Sequence, residues 1–138
     1  MAGYSKTPTW KKLGIKEGMR VILLHAPENY AQILGELPHG VVLDDKVRKK
    51  AAFIHYFTRE KSGLSKDFPK LKAALAPDGS LWISWPKGAA KVPTDLNENV
   101  VREIGLRYGL VDVKVAAVDE IWSGLKFVYR LKDRKGIE

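Results

Sequence analysis

Apolar positions along the chain fall into two kinds of run. Arg20–His25 reads Arg-Val-Ile-Leu-Leu-His, unbroken between Gly18 and Pro27. It has the length of a strand, and its continuous apolar character predicts one covered on both faces. Ala52–Phe57 and Ser80–Trp85 are runs of the same sort, and Val41–Leu43 is a shorter one closed by Asp44 and Asp45. Elsewhere the spacing is helical. Over 63–76, Leu64, Phe68, Leu71 and Leu75 share one face with lysines opposite. Pro69 must then lie in that helix's first turn or bend it. Thr94 or Asp95 caps a helix reaching Tyr108, in which Leu96, Val100, Ile104 and Tyr108 recur every four residues before Gly109 stops it. Residues 28–36 predict a helix started by Pro27, and Thr9–Leu13 a short helical turn. Pro77-Asp78-Gly79 reads as a turn, and Pro86–Pro93 as a loop. Val111–Val118 and Leu125–Leu131 are the last strands. The connection Asp119–Gly124 is short enough only for an antiparallel pair.

Strands alternating with helices predict an α/β domain of the three-layer, Rossmann-like kind, with a mostly parallel six-stranded sheet. Right-handed crossovers lead to the order 2-1-3-4-6-5 with the last strand antiparallel. Residues 1–18 form an N-terminal arm, 19–131 the domain, and 132–138 a charged tail. One link strains the scheme. Only Lys46–Ala51 joins strands 2 and 3, where a helical crossover needs a dozen residues or more.

At 138 residues the chain suits one domain with a real core. It has no cysteine, which excludes a disulfide scaffold, thiolate metal sites and cysteine nucleophiles. The start MAGYSKTPTW has no apolar stretch of the signal-peptide kind, and no run approaches a bilayer span. The expected location is the cytoplasm. The net charge of +8 is uneven: Lys46–Lys72 holds nine basic residues against Glu60 and Asp67. Within it Lys46, Arg48, Lys49 and Lys50 are a candidate anion-binding group, weighed against a merely solvated basic face.

Two resemblances follow from local stretches. Gly18–Leu24 and Leu75-Ala-Pro-Asp-Gly-Ser-Leu-Trp-Ile-Ser84, with the terminal hairpin, resemble class I methyltransferases. Pro8–Gly18, Leu24–Tyr30, Trp82–Lys87, Val92–Leu96 and Val118–Val128 are together similar to a small bacterial family known only as a domain of unknown function. The first resemblance implies the Rossmann-like fold, and the second implies no activity. Methyltransferases follow strand 1 with a glycine-rich turn that lets the backbone approach S-adenosylmethionine (SAM). Here the turn is His25-Ala-Pro-Glu-Asn29, without glycine. Pro27 removes a donor, and Glu28 sets a negative charge where the cofactor's carboxylate would lie. No cofactor is therefore expected. Asp44 or Asp45, at the end of strand 2, is placed to hold ribose hydroxyls, or is a solvated strand end.

Other chemistry is thin. His25, His39 and His55 have no ligand spacing, so no metal is expected. A His25–Glu28 acid/base pair has no nucleophile or electrophile beside it. Ser84 and Ser123 lack an elbow sequence. Lys87-Gly-Ala-Ala-Lys91 is a basic loop on the ligand side of such sheets. No catalytic residue is assigned. Ligand-binding candidates chosen by position are His25, Glu28, Asn29, Asp44, Thr58, Arg59, Trp85 and Lys87, with Arg59 and Lys87 favouring an anionic ligand. Asp119, Glu120, Trp122 and Ser123 form a candidate loop site for a protein partner, because a loop tryptophan in polar company is not readily core. The expected function is a non-catalytic, methyltransferase-like binding or interaction module. The alternatives are a SAM-dependent methyltransferase with a degenerate cofactor loop and a nucleic-acid binder using the basic 46–72 face.

Overall fold

The computed structural model describes residues 7–47 and 50–135. Arg48 and Lys49, two of the candidate anion-binding residues, lie outside them. The elements are α1 (Thr9–Leu13), β1 (Arg20–Leu24), α2 (Tyr30–Leu34), β2 (Val42–Asp44), β3 (Ala51–Phe57), α3 (Lys61–Ala74), β4 (Leu75–Pro86), α4 (Glu98–Arg107), β5 (Leu110–Ala117) and β6 (Trp122–Tyr129). They build one six-stranded sheet in the order β2-β1-β3-β4-β6-β5. β1, β2, β3 and β4 run parallel, and β6 is antiparallel to both β4 and β5.

The two sheet faces have separate cores, as expected of strands covered on both sides. Ile22, Ile54, Tyr56, Leu81, Ile83, Trp85, Leu125 and Phe127 meet Leu64, Phe68 and Leu71 of α3 and Val101 and Ile104 of α4. Val21, Phe53, Phe57 and Trp82 meet Leu13 of α1 and Tyr30 and Leu34 of α2 on the other face. Among the described residues no helix is long and apolar enough to cross a membrane.

The short link between β2 and β3 has a geometric explanation. Asp44 and Ile54 both pair with Ile22, so β2 ends level with the middle of β3. The chain has to return only three residues along the sheet, roughly 10 Å, and cross two strand spacings, roughly 10 Å more. Seven peptide links reach over about 20 Å, so no helix is needed.

Several details differ from the sequence reading, among them the helix expected over 63–76, which is Lys61–Ala74. Pro77–Gly79 lies inside a long β4, where the register to β3 steps from Ala51↔Leu75 to Phe53↔Ser80. Asn97, not Thr94 or Asp95, caps α4, its side chain accepting from the Val100 amide at 2.9 Å. Thr94 instead donates to the Arg59 carbonyl at 2.7 Å, and Asp95 accepts from the Lys61 amide at 2.7 Å. Both tie the start of α3 to the loop before α4. Pro69 lies deep inside α3 rather than in its first turn. Finally, β6 begins at Trp122, three residues before its predicted start.

Candidate functional site

The carboxyl ends of β1, β3 and β4 open on one edge of the sheet, the edge where parallel α/β sheets take ligands. β1 leaves through His25, which adopts a left-handed φ of 57°. That conformation is uncommon without glycine, though histidine tolerates it better than most residues. The exposed His25 ring tilts over Tyr56, 5.2 Å between centroids. Tyr56 donates to the Asp67 carboxylate at 2.6 Å. Burial, and then that bond, hold the tyrosine hydroxyl well above its ordinary pKa. Together with Leu24, Val47, Lys70 and Leu71, these three residues enclose a cavity of about 150 Å³.

The remaining crevice candidates are dispersed. Glu28 and Asn29 are exposed at the start of α2, and the Asn29 side chain makes no cap bond. Asn29 faces Asp119, Glu120 and Ile121 across a shallow groove of about 300 Å³. Asp44 is ion-paired with Arg20 at 2.6 Å and also accepts from the Lys46 amide at 3.1 Å. The Thr58 hydroxyl accepts from the Glu60 amide at 3.2 Å and so begins α3, and its own amide donates to the Ser84 carbonyl. The Arg59 side chain is exposed, as is Lys50, which has φ 63°. The Lys87 amide donates to the Ile121 carbonyl at 2.8 Å, joining the exit of β4 to the β5–β6 turn. Trp85 is buried in the α3–α4 core and does not line the crevice.

The loop site is also rearranged. Asp119 accepts from the Ile121 and Trp122 amides at 2.8 and 2.7 Å, so its carboxylate builds the turn. Glu120 is exposed. Trp122 is half-buried on β6 and meets Phe57 edge-on at 5.0 Å, which explains its place by packing. Ser123 pairs with Trp85 and Ala117 across the neighbouring strands.

Sequence reasoning missed two constellations. One is Tyr56 with Asp67. Asp67 falls on the apolar stripe of α3 between Leu64 and Leu71, and an acid on that stripe is the signal that marks it. The other is a chain through the opposite core. The Tyr30 hydroxyl lies 2.8 Å from His55 Nδ1, and His55 Nε2 lies 2.7 Å from Ser84 Oγ. Either histidine tautomer satisfies both bonds, with the donors reversed. The arrangement has the order of an orienting group, a base and a nucleophile. His55 and Ser84 are nevertheless fully enclosed, and no substrate reaches them here. Gly124 pairs with Ser84, and a Cβ there would stand 3.0 Å from the Trp82 ring and 3.3 Å from Ser84 Oγ. The chain pins α2 to β3 and β4.

The methyltransferase resemblance implies a resident SAM at this edge. His25 carries a side chain at the positive-φ position of the first turn, Pro27 offers no donor, and Asp44 is already held by Arg20. The enclosed space is about half the lower limit of roughly 300 Å³ for ordinary ligand sites. These residues do not fit the cofactor.

No protein-family model matches the chain, and no curated protein matches it. Solved structures do. A SAM-dependent methyltransferase from Aquifex aeolicus is 18% identical, with 85% of each chain covered and a TM-score of 0.53. A TehB-like SAM-dependent methyltransferase from Corynebacterium glutamicum is 12% identical over 94% of this chain and 91% of that one, with a TM-score of 0.57. A putative type 11 methyltransferase from Sulfolobus solfataricus is 12% identical over 90% of each chain, with a TM-score of 0.56. At these identities the likeness establishes a methyltransferase-like Rossmann fold.

Proposed function

We propose that this chain is a binding module on a methyltransferase-like fold, taking a small anionic ligand at the carboxyl edge of β1 and β3 without transferring a methyl group. The observation that carries this reading is the first turn, where the His25 side chain covers Tyr56 and no glycine opens the backbone. His25 and Lys70 border the small cavity there, and Arg59 and Lys87 follow the strands on the same edge. The Asp67 carboxylate is engaged by Tyr56. Those bases are the groups left to meet an anion.

Methyl transfer is the second reading, and the solved neighbours favour it, since all three are described as methyltransferases. It requires the His25–Asn29 turn to move and the cavity to enlarge. Isothermal titration with SAM and S-adenosylhomocysteine separates the two. No heat at millimolar ligand is the expected result. Micromolar binding overturns the binding-module reading and makes the methyl acceptor the next question.

A further inference from the structure

Lysines remote in sequence meet on the α1 face of the sheet, away from the carboxyl-edge cavity. Lys114 of β5 and Lys126 of β6 are direct cross-strand partners. Like charges directly opposite each other destabilise a sheet, so the pair needs a reason. Lys126 is the half-buried member. Its Nζ lies against the end of α1, 3.9 Å from where a Cβ on Gly14 would stand. Lys114 is tethered rather than free: its ammonium donates to the Lys12 carbonyl at 2.7 Å. Lys12 in turn donates to the Ala117 carbonyl at 3.2 Å. The two long side chains are thus held in place by backbone carbonyls, with their charge kept on this surface.

Asp119 and Glu120 border the hollow that Lys12 lines. Among the described residues no carboxylate is paired with Lys12, Lys16, Lys114 or Lys126. A five-residue α1 supplies little negative charge from its carboxyl end. Burial, with Lys114 and Lys16 nearby, holds the Lys126 ammonium below its ordinary pKa. The site is electrostatically unfavourable as it stands, and a bound anion would relieve it. Lys114 and Lys126 bring their ammonium groups together at the end of α1, while the Lys12 ammonium stands apart at the Ala117 carbonyl. That pairing suits a compact, multiply charged group better than a long polyanion.

We propose that Lys114 and Lys126, flanked by Lys12 and Lys16, form a binding site for a soluble phosphate-type anion. It is independent of the carboxyl-edge site, which lies at another place on the sheet.

Titration of the full chain with inorganic pyrophosphate at constant ionic strength tests it. The wild type is expected to bind, and Lys114→Gln and Lys126→Gln to weaken binding by at least about tenfold. Lys61→Gln, on the opposite face, should bind like the wild type. Without pyrophosphate, Lys126→Gln should melt no lower than the wild type, because it removes one of two opposed charges, while Lys114→Gln, which also gives up the bond to the Lys12 carbonyl, should still melt in one cooperative transition. Folding is then not at issue when binding is lost. Equal affinity in all four proteins overturns the proposal, as does a response that sodium chloride reproduces at matched ionic strength. Binding to phosphatidylglycerol vesicles or duplex DNA without binding to pyrophosphate also overturns it, in favour of a membrane or nucleic-acid surface. A SAM titration reads the carboxyl edge alone, so the two proposals stand or fall separately.

Discussion

The Tyr108 hydroxyl donates to the Ser65 carbonyl at 3.2 Å, across the interface between α4 and α3. Ser65 is the carbonyl that Pro69, four residues on, cannot serve, because proline has no N–H. The tyrosine therefore fills the gap that the proline opens, and its ring stacks on Phe68 at 5.5 Å. This is how α3 runs from Lys61 to Ala74 with a proline in its interior.

Tyr108→Phe should cost about 1 kcal/mol, the price of one unmade hydrogen bond. In a Pro69→Ala background the alanine amide serves Ser65, and the same change should cost less. Urea unfolding of the four proteins gives the coupling. Additive effects would mean that the two residues act separately.

Acid should destabilise the protein through His55. Burial lowers its pKa from 6.5 to about 3, so the folded ring stays neutral where the unfolded one protonates. The unfolded state then binds more protons, and stability falls with falling pH. The contribution is whole above about pH 6.5 and is lost progressively toward pH 3. Between pH 7 and pH 5 the loss should be about 2 kcal/mol. Unfolding free energies at the two pH values check the size. Ring resonances of His55 that remain neutral at pH 5 check the cause, and a protonated ring in the folded protein at that pH would refute it.

Gly105→Ala should damage the core. Gly105 is buried on α4, and a Cβ there would stand 2.0 Å from the Phe127 ring. Alanine is the better helix former by up to about 1 kcal/mol, but overpacking costs about 1–3 kcal/mol. Net destabilisation is expected in thermal melts. Adding Phe127→Leu should recover part of it, and a double variant no better than Gly105→Ala would locate the damage elsewhere.

The amino-acid sequence by itself determined the order and number of strands, the two main helices and the sheet order 2-1-3-4-6-5. Those follow from local periodicity and connection length. The Asp119–Gly124 link, for example, is too short for anything but an antiparallel pair. The positions of His25 at the exit of β1 and of Asn29 at the start of α2 were legible for the same reason. What only the tertiary structure decided is which side chains meet. Trp122 lies in a strand because β6 pairs with Pro86 of β4 as far as that residue, and its ring is covered by Phe57 from 65 residues earlier. Trp85 joins the core and leaves the crevice because α3 and α4 close over its face. The Tyr30–His55–Ser84 chain joins three elements, and Lys12, Lys16, Lys114 and Lys126 join three others. In the sequence those lysines fall in two segments of near-balanced charge on either side of Lys46–Lys72. Register and packing across a hundred residues bring them together, and no local pattern encodes that.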